Sequence, residues 1–513
     1  MFKQKVDYKN KKEFEEAILI EKKRGTSDLE IGKKYGVTFK YIEQVITRSQ
    51  GVNISAFKLH KEIKRFYPED FKEEHTTVWS FKKRGNWATH SGEYRGNWSP
   101  YIPRNVILKY SKPGELVLDY FCGAGTTAIE CKLLGRRCIA LDINDKAIEI
   151  AKRNTSFDIK NDQLFLLGEN ECNTYEPELF VGDARDLSFL KNSSVDLICS
   201  HPPYANIIHY TNSKEGDLSF LDIDDFLVEM LKVAKESYRV LKPGRKCVIL
   251  IGDLRRKKHV IPLGFKLIDV YLKAGFMLKE LVIKRQHNCK TTGFWYKNSI
   301  KHNFLLLSHE YLPIFEKPAT HTCSIVKEEK IDYNLPVPTS EKQIFKKRLD
   351  EFETTTVWLF PEKDFEYILN KNVIDRYSKN RNYSIITFES EGNVSLKDKQ
   401  KGRDLLFIKS PFLKDIHSCL EVEYYLKQIE NIVDQGVPHL NNGGFLVIQT
   451  RDVRVNGYIE PLAKKIVDML KHDNLWLKEI IVVTYENLNS ENQKSEEYLK
   501  IAHQYLLVYE VKK

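Results

Sequence analysis

The chain has 513 residues, 42% hydrophobic and 30% charged, which gives enough apolar matter for two or three globular domains and excludes a disordered chain. Its formal net charge of +10, from 81 Lys and Arg against 71 Asp and Glu, fits a phosphate-bearing partner without requiring one. Nine cysteines without a CxxC pair give neither a disulfide framework nor a metal site, and no apolar window or signal-peptide core marks a membrane or exported chain, so a cytoplasmic location is expected.

Residues 1–60 read as helical. KKEFEEAILIEKKRG has helix-forming composition and a glycine stop. In SDLEIGKKYGVTFKYIEQVITRS, Ser27 and Glu30 have capping-box spacing, Gly36 breaks the helical pattern, and a further helix is predicted from near Thr38. Gly32, followed by Val37, Ile42 and Val45, matches a helix-turn-helix, where two crossing helices need a small residue at the crossing and apolar inner positions. A plain helical hairpin packed on the main domain is the other reading.

From about Trp79 short apolar runs alternate with helical stretches: LVLDYF, TTAIECKLLG, RCIALDI, DKAIEIAKRN, LFVGDA, VDLICS, FLVEMLKVAKESYRVL, KCVILIGD and IPLGFKLIDVYLKAG. This alternation predicts an α/β fold of parallel strands joined by helical crossovers, with ligands at the carboxyl ends of the strands. The stretch from Pro313 to Lys342 lacks periodicity and carries four prolines, which marks 319–342 as a linker. The chain beyond this linker echoes the chain before it. TTVWSF at 76–81 recurs as TTVWLF 279 positions on; Asp253 and Pro262 find Asp452 and Pro461 at 199; HNFLLL from His302 finds HQYLLV from His503 at 201; Tyr204 of DLICSHPPY finds Phe412 of DLLFIKSPF at 208. The fall in offset from 279 to 208 means that the second copy lacks about 71 residues, the stretch holding DYFCGAGTT and ALDIND.

The motifs with chemistry lie in the first copy. LVLDYFCGAGTT puts Asp119 at a strand end, Gly123 and Gly125 in a tight loop, and Thr126 and Thr127 at a helix start. Glycines there let a backbone approach a ligand closely, but the third glycine of the dinucleotide pattern is absent. CIALDIN ends the next strand on Asp142, where a carboxylate can take both hydroxyls of a ribose, and FVGDARDL offers Asp183 to an adenine edge. Three carboxylates at successive strand ends point to a nucleoside-bearing cofactor. A further strand, VDLICS, runs into His201, Pro202, Pro203 and Tyr204.

Phe121, Gly123 and Gly125 fit the FxGxG loop, and HPPY fits the [D/N/S]PP[Y/F/W] tetrapeptide, of the S-adenosylmethionine-dependent amino methyltransferases of DNA, which the chain resembles over about residues 76–318. NWSPYIPRNVILKYSKPGELVLDYF resembles the family's helix and loop over the cofactor methionine. The resemblance implies a Rossmann-like methyltransferase sheet with S-adenosyl-L-methionine held by Asp119, Phe121, Gly123, Gly125, Thr126, Asp142 and Asp183. It implies His201, Pro202, Pro203 and Tyr204 as the catalytic tetrapeptide, and double-stranded DNA as partner. A restriction-modification setting, with a cognate restriction endonuclease acting on the same site, comes from the same resemblance. The departure is His201, where relatives acting on adenine N6 carry Asp or Asn and those acting on cytosine N4 carry Ser. Cytosine N4 is favoured slightly. Adenine N6, an RNA base methyltransferase and a non-catalytic DNA-binding regulator with a decayed methyltransferase body stay open.

An exocyclic amine on a base is a poor nucleophile because its lone pair is delocalised into the ring. Acceptors must hold its hydrogens while the lone pair turns toward the methyl group. By resemblance the Pro202 carbonyl is one acceptor and the residue at 201 the other; a neutral imidazole has one acceptor nitrogen, so His201 serves only when uncharged. Tyr204 would be the stacking face for a base taken out of the duplex. The PCQ motif of ring-carbon cytosine methylation is absent.

Two stretches stay ambiguous. GDLRRKKHVIP reads either as Arg255, Arg256, Lys257 and Lys258 set against phosphates or as a solvated charge run. KTTGFWYKN reads either as a loop over the target base or as packing. The expected organisation is 1–60 helical and helix-turn-helix-like, 61–318 catalytic, 319–342 linker, and 343–513 a degenerate methyltransferase-like copy. That copy has no glycine loop and no ribose acid, its tetrapeptide has shrunk to KSPF, and it is expected to act as a dead partner in an intramolecular pseudo-dimer.

Overall fold

The computed structural model describes residues 11–24, 26–38, 41–42, 45–46, 63, 65–92, 94, 96–159, 173–205, 211, 215–287, 293–319, 353–378, 381–387, 402–410, 418–486 and 498–513. They fall into two compact units: Met1–Phe71 with Lys83–Cys247, and Lys72–Lys82 with Val248–Lys513. In chain order the strands are β1 (Val78–Ser80), β2 (Leu116–Asp119), β3 (Arg137–Asp142), β4 (Glu178–Val181), β5 (Val195–Ser200), β6 (Leu241–Ile249), β7 (Leu254–Arg256), β8 (His259–Ile261), β9 (Met277–Arg285) and β10 (His309–Glu316). The second copy supplies β11 (Val357–Phe360), β12 (Tyr383–Thr387), β13 (Arg403–Lys409), β14 (Leu440–Thr450), β15 (Val453–Val455), β16 (Tyr458–Glu460), β17 (Leu475–Tyr485) and β18 (His503–Val511).

The first unit opens with α1 (Lys11–Lys23) and α2 (Asp28–Tyr35). Ser27 caps α2 in a capping box with Glu30, and Gly36, at φ 67°, ends it in the left-handed region. Ile18, Ile31, Ile42 and Val45 bury together, and a side chain added at Gly32 would lie 3.1 Å from the Val37 carbonyl. A side chain at Gly32 would therefore be tight against the chain where it turns.

The same unit then alternates strand and helix. β2 pairs in parallel with β3 and β5, and β3 with β4. α3 (Tyr101–Tyr110) precedes β2, α4 (Thr126–Leu133) joins β2 to β3, α5 (Asp145–Thr155) follows β3, and α6 (Ile223–Val240) follows β5. β5 is buried along its whole length, which is why VDLICS shows no alternation. Asp119, Asp142 and Ser200 close β2, β3 and β5, so three strand ends converge on one edge of the sheet.

The strand orders carry the duplication. One sheet runs β1-β9-β10-β6-β5-β2-β3-β4 and the other β11-β17-β18-β14-β13-β12. The second repeats the first six positions and stops where the first continues to β3 and β4. Among the described residues it thus shows no counterparts of the strands that lead to Asp142 and Asp183.

In the second unit the two copies exchange equivalent bonds. Thr77 Oγ1 meets His503 Nδ1 at 2.8 Å and His503 Nε2 meets Tyr505 Oη at 3.0 Å. Correspondingly, Thr356 Oγ1 meets His309 Nδ1 at 2.9 Å and His309 Nε2 meets Tyr311 Oη at 3.1 Å. Tyr311 donates to Asp253, while Asp452 bonds with Tyr505; burial pushes both carboxyl groups up to about 7. The partner of His503 is therefore His309 and not His302. HNFLLL mimics the echo because it also has a histidine two residues before an aromatic one, but its histidine ends a helix, whereas His309 and His503 each open a strand. Arg255, expected against phosphates, is instead clamped on Glu479 with its side chain only 11% exposed, and Arg454 mirrors it on Glu280. These bonds explain why packing divides the chain at Cys247 and not at the repeat boundary.

Candidate active site

Two carboxylates shape the glycine loop. Asp119 accepts the Phe121 amide at 3.1 Å and the Ser200 hydroxyl at 2.6 Å, and Ser200 Oγ also accepts the Phe121 amide at 3.1 Å. The ends of β2 and β5 are thereby tied together one residue before His201. Asp142 accepts the Gly123 and Asn144 amides, each at 2.9 Å. Burial raises Asp119 and Asp142 alike to about 6, against the backbone bonds that favour their charged forms. Gly123 sits at φ 51°, and a side chain there would come within 3.0 Å of the Tyr94 ring, so both its conformation and its surroundings demand glycine. Gly125, also left-handed, opens α4, and Thr126 Oγ1 donates to Asn97 Oδ1 at 2.6 Å.

The segment in front of α3 is fixed by Arg84. Its guanidinium donates to the carbonyls of Asn97 and Trp98 at 2.8 and 3.0 Å, and Ser99 returns a bond to its own carbonyl at 2.7 Å. The Trp98 ring then stacks on the His201 imidazole, with centroids 5.6 Å apart and planes 21° apart. On its other side His201 Nε2 lies 3.2 Å from Tyr204 Oη. A tryptophan face and a phenol thus orient the imidazole.

A cleft of about 710 Å³ gathers Phe121, Gly123, Asp142, Asp183, His201, Pro202 and Pro203, seven of the eleven residues singled out from sequence. Asp119 and Thr126, both buried, bond Phe121 and Asn97 of this lining, Gly125 caps α4, and Tyr204 meets His201. Asp183 lines the cleft with both carboxylate oxygens bonded by Arg185, Nη2 at 2.6 Å and Nε at 3.0 and 3.1 Å. Tyr94, Arg84, Ser200 and the turn Gly216–Leu218 escape a reading by motif: Arg84 sits in a bare charge run, and Tyr94 and the turn match no local pattern. Of the expected loop over the base, Gly293–His302 is a helix (α7), and the residues before it lie outside the described ones. Ser410 of KSPF is buried at the end of β13; the proline and phenylalanine after it lie outside the described residues.

The family model described as DNA methylase matches residues 4–153 and 195–405, more than half of the chain. The chain belongs to the DNA methylase family. A second model, the RMKL-like methyltransferase domain, matches residues 106–249 of this DNA methylase. It is 26% identical over 171 residues to the Type II methyltransferase M.MthZI of Methanothermobacter thermautotrophicus, covering 30% of this chain and 48% of the relative. It is 31% identical over 116 residues to the Type II methyltransferase M2.DpnII of Streptococcus pneumoniae, covering 21% and 42%. It is also 31% identical over 132 residues to a tRNA (guanine(10)-N2)-dimethyltransferase of Methanothermobacter thermautotrophicus, covering 25% and 34%. The chain spans less than half the length of each of these relatives. The cofactor of this family is S-adenosyl-L-methionine, and the cleft fits it: the Gly123 backbone and the Asp142 carboxylate, anchored by two amides, both lie in its wall.

Proposed function

We propose that this DNA methylase methylates the exocyclic amine of a base flipped out of a specific DNA site, cytosine N4 in preference to adenine N6, in a restriction-modification setting. The observation that carries the reading is a single cleft containing the tetrapeptide His201, Pro202 and Pro203 together with the glycine loop and Asp142. S-adenosyl-L-methionine, when bound, supplies an electrophilic methyl group on a sulfonium. Asp142 would hold the ribose hydroxyls, and the Gly123 backbone would let the cofactor approach the end of β2. Pro202 would offer its carbonyl oxygen to one amine hydrogen. His201 would offer a ring nitrogen to the other, and a proton on Nε2 donated to the Tyr204 oxygen makes Nδ1 the acceptor. Bond formation at nitrogen then releases one amine proton. Catalysis in such a site is positioning, with no covalent enzyme intermediate.

Nucleoside mass spectrometry of DNA from a methylation-free host expressing the chain, beside an Asp142→Ala control, is expected to show N4-methylcytosine in the first and not in the second. N6-methyladenine instead would move the target, and a mark confined to RNA would favour the reading suggested by the tRNA relative. With saturating cofactor, the transfer rate should fall when acidification protonates His201, and His201→Asn should remove that loss. A flat wild-type profile would remove the acceptor role.

We also propose that residues 343–513 form a dead copy that binds no cofactor, because their sheet ends at β12. Calorimetry should give one cofactor per chain, and Ser410→Ala should leave that affinity within about twofold; two sites per chain would refute the idea.

A further inference from the structure

Equivalent hairpins in the second unit share their turn geometry and differ in charge at the tip. β7 and β8 are joined by Lys257 and Lys258, β15 and β16 by Asn456 and Gly457. The closing pairs are Arg256 with His259 and Val455 with Tyr458, so each loop has two residues. All four take positive φ, at 48° and 73° in the first hairpin and 50° and 81° in the second. Positive φ at both positions marks a type I′ turn, for which Asn-Gly is the favoured sequence. The hairpin bases are alike: Arg255 bonds Glu479 and the Leu305 carbonyl, and Arg454 bonds Glu280 and the Leu499 carbonyl. The scaffold therefore does not demand lysines, and a lysine has neither a glycine's freedom nor an asparagine's local bonds to ease the left-handed region.

What the lysines bring is charge. Arg256, Lys257 and Lys258 are exposed, and none of the three makes an ion pair with a carboxylate among the described residues; their counterparts Val455, Asn456 and Gly457 are uncharged. Arg255 also joins the hairpin to the chain beyond α7, lying 5.1 Å from the Phe304 ring. In the last turn of α7, Lys301 adds another exposed positive charge. His302 is held below its ordinary range by burial and by the charges of Lys258 and Lys301.

We infer that the β7–β8 tip, with Arg256, Lys257, Lys258 and Lys301, is a surface that grips the phosphate backbone of duplex DNA. The inference rests on the proposed function and names a segment that touches the substrate. Such a grip fixes position and carries no sequence information, so it acts on cognate and non-cognate duplexes alike.

The test grafts one hairpin tip onto the other. Lys257→Asn with Lys258→Gly restores the favoured turn, so the variant should fold, resist heat better than the parent and bind cofactor unchanged. Its affinity for a non-cognate duplex near 0.1 M salt should fall about tenfold. The slope of log affinity against log salt should become shallower by about 2, near 0.9 for each phosphate that the variant no longer neutralises. Lys257→Arg with Lys258→Arg keeps the charge and should keep the slope. Unchanged affinity and slope in the graft would overturn the inference and leave the proposed function standing. A parent chain that binds cofactor but no duplex would take down both. Weakened binding to an RNA hairpin with duplex binding unaltered would assign the surface to RNA and refute the assignment to DNA.

Discussion

Glu130→Leu is expected to destabilise the first unit by about 3 to 5 kcal/mol, the usual cost of stripping a buried ion pair of one partner. Glu130 lies on α4 and is wholly buried. Trp87 Nε1 and His90 Nε2 each reach Oε1 at 2.7 Å, and Arg104 Nη1 donates to Oε2 at 2.8 Å. Burial alone would raise its pKa, but the Arg104 charge and the His90 bond outweigh burial and hold the group below the usual carboxylate range. Leucine keeps most of the volume and leaves the Arg104 guanidinium, itself only 5% exposed, without its countercharge. The sign with pH comes from the lowered value. The stabilisation is fully present above the unfolded carboxyl pKa of about 4.3 and is lost as pH falls through the lower folded value. Urea unfolding at pH 7 reads the loss, and an effect under about 1 kcal/mol would show that the cluster is replaceable packing. Glu130→Gln should cost less, since an amide oxygen can still accept.

The second large effect concerns the cofactor. Asp142→Ala should lower its affinity by at least about 100-fold, since two hydrogen bonds to a charged acceptor contribute about 1.5 to 3 kcal/mol each. The anchored amides of Gly123 and Asn144 lose their acceptor at the same time. Because burial lifts Asp142 to about 6, and hydroxyl donors favour the ionised form, the wild-type affinity should rise about tenfold per pH unit up to about pH 6 and level off above it. Calorimetry from pH 5 to 8 reads this, and a flat profile would mean that Asp142 does not meet the ribose. The same lifted pKa implies the opposite trend for folding: the native state binds more protons than the unfolded one between about pH 4 and 6, so stability falls across that window as pH rises.

How much of this is legible in the sequence depends on how local each signal is. The glycine loop, the acid ending β3 and the tetrapeptide are contiguous patterns, each set by the backbone geometry of one strand end, and all three meet in the cleft. The helical start is legible for the same reason, since Ser27, Glu30 and Gly36 act within a few residues of one another. Arg84 is not legible, because its partners are the carbonyls of Asn97 and Trp98, and carbonyls have no letter in a sequence. The strand-end pattern places Asp183 in the cleft wall but is silent on Arg185 two residues later, whose side chain folds back onto it. The pairing of His302 with His503 fails because likeness over six letters cannot distinguish a helix end from a strand start.

The reciprocal bonds of Thr77 with His503 and Thr356 with His309 give residues 319–342 a specific physical meaning. Each copy secures its first strand through the other, so the join between copies is non-covalent chemistry, and we propose that the intervening peptide serves as a tether. Its contribution is a local concentration, which turns a bimolecular encounter into an intramolecular one. Severing that peptide in the folded protein should yield two polypeptides that stay together at working concentrations and separate only on dilution or denaturation.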